Sequence, residues 1–282
     1  MKFFKYLPVL LFLFSSTVNS QRLVKTLNSG WDFHLENSET IKTVNIPHTW
    51  NAEDAFEEND GYYRGNGVYK RQLVAPESWK DKSIFLKFEG ANQETKVFIN
   101  DELVGQHIGG YTAFVFDISE YLNFGTSNTI RIEVDNAYNP DIPPLEADFN
   151  FYGGIYRDLQ VIVTGKSHFK MEGETAGNLL VKTPEVSREK AEINFSGEVE
   201  NSGNRKLKLQ IKLTDPSGNK VSEHKKTLNS GKFSVDFKIK DPKLWSPDSP
   251  ELYQISASLT NSESGEITDI YSTKFGCRWF EA

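Results

Sequence analysis

The 282-residue chain is acidic, with 39 Asp and Glu against 32 Lys and Arg and a formal net charge of -7. Nucleic-acid binding calls for Lys and Arg clustered on one face, and a chain of this sign carries no such footprint in its overall balance. Cys277 is the only cysteine, which excludes an intramolecular disulfide framework and leaves stability to packing.

The first segment reads as a secretory leader. Lys2 and Lys5 form a short positive region, Leu7 to Phe14 an apolar one, and Val18-Asn19-Ser20 a small-residue cleavage site before Gln21. A spanning helix needs roughly 20 apolar residues, and Ser15, Ser16 and Thr17 interrupt too soon. Residues 1–20 are therefore expected to be a signal peptide, and the mature product to be exported, periplasmic or secreted, with no membrane attachment.

From Gln21 onward the pattern is of strands. Val97-Phe98-Ile99 runs into the turn residues Asn100-Asp101 before Leu103 and Val104, and Ile130, Ile132 and Val134 repeat with period two. Leu207, Leu209, Ile211 and Leu213 alternate with Lys206, Lys208, Gln210 and Lys212. Phe233, Val235, Phe237 and Ile239 alternate with Ser234, Asp236, Lys238 and Lys240, and each run predicts a strand with one wet face. Asn201-Ser202-Gly203-Asn204, Asp215 to Asn219 and Asn229-Ser230-Gly231 punctuate these runs, and no amphipathic helix of three turns is found. The class expected is all-β, as sandwiches rather than a parallel α/β sheet. The aromatic-rich stretch from Trp31 to Arg157 gives way to a Lys-rich one from Lys166 to Lys240, which places a domain boundary near Gly165.

Several segments together resemble glycoside hydrolase family 2. They are GWDFHL (Gly30 to Leu35), IPHTWNAEDA (Ile46 to Ala55), DGYYRGNGVYKR (Asp60 to Arg71), the run from Val97 to Ser119, NTIRIEVDN (Asn128 to Asn136) and DFNFYGGIYRDL (Asp148 to Leu159). LWSPDSPELY (Leu244 to Tyr253) and TKFGCRWFE (Thr273 to Glu281) extend the likeness, while Val68 stands where the family pattern has Trp. The resemblance implies a galactose-binding-like jelly-roll sandwich over residues 21–165 and an immunoglobulin-like sandwich over 166–282. The (β/α)8 barrel that carries the two catalytic glutamates of the family is expected to be absent, since such a barrel takes about 250 residues and retaining hydrolysis needs two carboxyl groups about 5–5.5 Å apart.

The galactosidase branch implies a role for Asp148, which stands seven residues before Ile155 of the GGIYRD segment. By that resemblance it projects toward the barrel's site, holding sugar hydroxyls and a monovalent cation. A carboxylate accepts two charge-assisted hydrogen bonds and is a hard oxygen ligand; an ordinary solvated loop Asp is the alternative. Phe149, Phe151 and Tyr152 read either as an apolar platform for a sugar face or as packing of the loop onto the sandwich edge. Phe149 and Tyr152 join Asp148 as the candidate substrate-binding set.

Gly109-Gly110 and Gly153-Gly154 suit tight backbone approaches, Arg157 and Asp158 a structural salt bridge, and Asn51, Glu53 and Asp54 turn and cap chemistry. The histidines at 34, 48, 107, 168 and 224 lack zinc-type spacing, and Cys277 reads as a small buried hydrophobe.

The expectation is a non-catalytic part of a secreted exo-β-glycosidase, most like a β-galactosidase, with β-glucuronidase and β-mannosidase near it. The alternatives are a standalone carbohydrate-binding or assembly protein and a remnant of a disrupted gene. No cofactor is required by the chain, although a full-length relative would take Na or Mg. Its partners are a β-linked carbohydrate and, through the barrel-facing surface, other copies of itself.

Overall fold

A computed structural model describes residues 22–56, 63–143, 150–171 and 179–279. Strands dominate, as the alternating patterns require, and the only helical pieces among the described residues are three single turns of 3-10 helix at Asp54–Phe56, Glu77–Trp79 and Ser119–Tyr121. No helix among them is long and apolar enough to cross a membrane.

The first sandwich contains β1 (Leu23–Thr26), β2 (Trp31–Leu35), β3 (Lys42–Val44), β4 (Asn66–Ala75), β5 (Lys82–Phe88), β6 (Glu94–Ile99), β7 (Glu102–Ile108), β8 (Phe114–Asp117), β9 (Thr126–Asp135) and β10 (Leu159–Gly165). A six-stranded sheet runs β3-β2-β4-β9-β6-β7 and a four-stranded one β1-β10-β5-β8. Every pairing is antiparallel. Trp31, Tyr69, Ile99 and Ile130 from the larger sheet meet Ile84, Leu86, Phe88 and Val161 from the smaller one in a single core. Strand β9 alternates between core and solvent, whereas β5 and β10 are buried almost throughout. The cause is a second cover: Phe85 and Ile162, which point away from the core, pack with Met171 where the second sandwich begins. A sheet covered on both faces reads as a continuous apolar run rather than as alternation.

The second sandwich contains β11 (Ser167–Phe169), β12 (Leu180–Val186), β13 (Lys190–Asn201), β14 (Leu207–Thr214), β15 (Lys220–Leu228), β16 (Gly231–Lys240), β17 (Tyr253–Asn261) and β18 (Ile267–Phe275). One sheet is built on β13, which pairs with β16 along one edge and with β12 and then β11 along the other. The second runs β15-β14-β17-β18. Leu209, Ile211, Phe195, Phe237, Ile255 and Leu259 fill the space between them. Cys277 joins this core, and burial pushes its thiol up to about 11, so it is a small hydrophobe held protonated.

Further contacts join the sandwiches. The Phe85 and His168 rings meet edge-on at 5.2 Å. Arg22, just before β1, donates through Nε and Nη2 to both carboxylate oxygens of fully buried Asp269 on β18, at 2.9 and 2.8 Å. Asp269 also accepts from the backbone N–H of Phe169, so one buried carboxylate ties the start of the chain to two strands of the second sandwich.

Candidate functional site

Strand β9 ends at Asp135, and the next strand among the described residues is β10, which begins at Leu159. Backbone outside a ladder still has to satisfy its polar groups, and four amide side chains do so here. Asn51 and Asn136, both fully buried, each donate from Nδ2 to the carbonyl of Phe151, at 3.1 and 2.7 Å. Asn51 also donates to the Tyr63 carbonyl and accepts from Gly153 N–H at 3.0 Å. The Asn136 amide oxygen accepts from Gly65 N–H, and its carbonyl accepts from Arg64 Nε. Asn92, after β5, exchanges backbone hydrogen bonds with Gly154 and donates from Nδ2 to the Tyr152 carbonyl at 2.6 Å. Gln93 donates to the Ala137 carbonyl at 2.8 Å. Segments on both sides of residues 144–149 are thus fastened to one end of the first sandwich.

The glycines permit the close approach. A Cβ on Gly153 would stand 2.1 Å from the Trp50 ring, and one on Gly110 would stand 2.0 Å from Asn92 Oδ1. Beside this fastening lies a cleft of about 670 Å³ whose lining includes Phe33, His48, Trp50, Glu53 and Asp54. Phe33 and Trp50 stack across it at 5.9 Å. His48 Nδ1 lies 2.8 Å from the Tyr69 hydroxyl. Burial holds the Tyr69 phenol far above its ordinary value, and burial together with Lys42 lowers His48, so the pair meets as a neutral phenol and a neutral ring.

Of the sequence candidates, Asp148 and Phe149 lie outside the described residues. Tyr152 is 44% exposed, and its carbonyl accepts from Asn92 Nδ2. Phe151 took the packing alternative: it is buried beneath the Arg64 guanidinium, 4.6 Å from the ring centroid. Arg157 and Asp158 do not form the expected salt bridge. Asp158 accepts from Asn28 Nδ2 at 2.8 Å, and Arg157 lies over the Tyr156 ring. Among the described residues no group of three or more His, Cys, Asp or Glu could hold a metal ion. Sequence reasoning missed the roles of Asn92 and Asn136, and gave Asn51 a local turn role, because their partners lie up to 102 residues away.

Residues 21–165 match the sugar binding domain of the glycosyl hydrolases family 2, and residues 178–278 match a second domain of that family. The chain belongs to glycoside hydrolase family 2. Its jelly-roll and immunoglobulin-like sandwiches are the family's two domains of those types. A β-glucuronidase of Bacteroides fragilis is 34% identical over 283 residues, covering 96% of this chain and 40% of that protein. The crystal structure of a Bacteroides uniformis β-glucuronidase superimposes with a TM-score of 0.85 at 36% identity, over 93% of this chain and 33% of that one. A putative β-galactosidase of Bacteroides fragilis gives a TM-score of 0.85 at 29% identity, over 93% and 42%. The family 2 chain therefore spans only 33% to 42% of the length of these relatives.

Proposed function

We propose that this chain supplies a non-catalytic, substrate-facing wall of an exported exo-β-glycosidase, and that the terminal sugar is β-linked glucuronate. The observation that carries the reading is the fastening of the segment from Asn150 to Gly154 by Asn51, Asn92 and Asn136. It presents an exposed Tyr152 four residues after Asp148. In this reading Asp148 accepts hydrogen bonds from two sugar hydroxyls and takes a monovalent cation, while Phe149 and Tyr152 offer ring faces to the sugar. Hydrolysis itself falls to a carboxyl pair about 5–5.5 Å apart elsewhere in a full-length enzyme.

Glucuronate is favoured over galactose by the 34% and 36% identity to proteins named β-glucuronidases, against 31% and 29% to proteins named β-galactosidases. Export rests on the leader pattern of residues 1–20. Tyr111, Tyr138 and Tyr152 are exposed around the Asn92-Gln93 pair, and this is the surface through which the chain alone would self-associate.

Calorimetric titration with glucuronate and with galactose tests the sugar and Asp148 together. A weak, saturable heat is expected, near -4 kcal/mol of free energy for a millimolar dissociation constant. It should be larger for glucuronate and be removed by Asp148→Ala. Equal heats with and without that substitution would remove Asp148 from the reading, and turnover of an aryl β-glucuronide by the purified chain would overturn its non-catalytic role.

A further inference from the structure

We infer that the outer face of the sheet β15-β14-β17-β18 is a binding surface for an anionic polysaccharide, a sugar polymer bearing carboxylate or sulfate groups. The register sets its residues side by side. Lys208 lies opposite Thr227 on β15 and Thr260 on β17, Gln210 opposite Lys225 and Ser258, and Lys212 opposite Glu223 and Ser256. Ser272 continues the last row on β18. Their in-between neighbours Leu207, Leu209, Ile211 and Leu213 are buried, so this set faces solvent. Lys208, Lys225, Lys226, Gln210, Thr227 and Thr260 border a depression of about 450 Å³.

The charge on this face is largely unspent. Glu223 pairs with Lys225 at 3.1 Å and with Lys220 at 3.4 Å. Lys208 and Lys212 form no ion pair with any described residue, whereas Lys226 lies opposite buried Leu209 and so projects to the other side of the strand. On the opposite sheet Lys238 pairs with Glu192 and Lys190 with Glu185, while Lys182 and Lys232 form no ion pair with a described residue. Lys208 and Lys212 are four residues apart on one strand, about 13 Å, with the Gln210 amide between them.

Ammonium groups at that spacing suit oxyanions repeated along a polymer. Between them lie the Gln210 amide, which donates to Glu223, the Ser256 and Ser272 hydroxyls, which bond each other, and the Ser258 and Thr260 hydroxyls; each hydroxyl or amide oxygen has a second lone pair that can accept from a sugar hydroxyl. The face bears no exposed aromatic ring on which unpaired bases could stack. The whole chain is repelled by a polyanion, having a net charge of -7. Capture therefore has to be local, over distances within a screening length of about 10 Å at 0.1 M salt. This inference is independent of the glycosidase reading, since it uses a different domain.

Affinity electrophoresis of the purified chain in gels containing polygalacturonate, dextran sulfate or neutral galactan tests it. Retardation is expected in one or both anionic gels, which separates carboxylate from sulfate as the group read, and none in galactan. It should vanish in 1 M salt, where the screening length is about 3 Å. A Lys208→Gln/Lys212→Gln/Lys225→Gln variant with unchanged circular dichroism and melting temperature should bind about tenfold more weakly. A Lys182→Gln/Lys238→Gln/Lys240→Gln variant on the opposite sheet should bind like the parent. Equal mobility in all three gels, equal weakening by both variants, or equally tight binding of single-stranded DNA or anionic phospholipid vesicles would overturn the proposal.

Discussion

The Phe151 carbonyl accepts from both Asn51 and Asn136, so either asparagine alone can keep it satisfied. Removing one side chain orphans other groups, such as Gly153 N–H or Gly65 N–H, at about 1–3 kcal/mol for each buried unsatisfied group. Removing both also strands the shared carbonyl. In urea denaturation, Asn51→Ala and Asn136→Ala together should therefore cost more than the sum of the singles, by about 0.5 kcal/mol or more. Strict additivity would mean that the shared carbonyl is not what fastens the loop. His48 adds a pH dependence. Its folded value is lowered from 6.5 by burial and by Lys42, so below about 6.5 the unfolded chain binds a proton that the folded chain resists. Stability should accordingly be flat above that pH and fall below it, and His48→Gln should reduce that part of the acid sensitivity in melting curves taken across the pH range. An unchanged slope would show that His48 contributes nothing to it.

Strand β14 shows how alternation becomes stability: Ile211 is buried in the second core and its neighbours Gln210 and Lys212 face water. Ile211→Ala should cost about 2–5 kcal/mol by denaturant unfolding, and a loss under 1 kcal/mol would mean that the site collapses around the gap. This strand was legible in the sequence because its two faces meet different media. So were β9, β16 and the turn at Asn100 and Asp101, where both residues take the left-handed conformation. In sequence the GGIYRD segment runs straight on into β10, yet the strand starts only at Leu159. Ile155 and Asp158 instead each give a carbonyl to a single cross-bond, from His48 N–H and Glu89 N–H. That difference, like the asparagine fastening, depends on partners distant in sequence, which no local pattern encodes. The cationic face was hidden for another reason: a net charge sums over all surfaces, whereas a ligand meets one of them.

At the scale of the whole molecule, Asp269 carries the junction. It is fully buried and accepts from Arg22 and from the Phe169 backbone, and breaking a buried pair by removing one partner costs about 3–5 kcal/mol. Asp269→Ala should lower the melting temperature and, in calorimetry, separate the unfolding of the two sandwiches into resolved transitions. A single transition at the parental temperature would show that apolar contacts such as Phe85 on His168 join the sandwiches unaided.

The place of β1 in its sheet has a consequence for synthesis. Among the described residues its only strand partner is β10, the last strand of the first sandwich, so Leu23 to Thr26 emerge early and wait until the rest of that domain has been made. At ribosomal rates of about 5–20 residues per second the wait is on the order of ten seconds. During it an apolar edge is open to neighbouring chains, and the first sandwich can close only after its C-terminal strand appears. Vectorial production thus leaves this fold's first strand as a late arrival to its own sheet, dependent on dilution or on a holding chaperone until Gly165 is out.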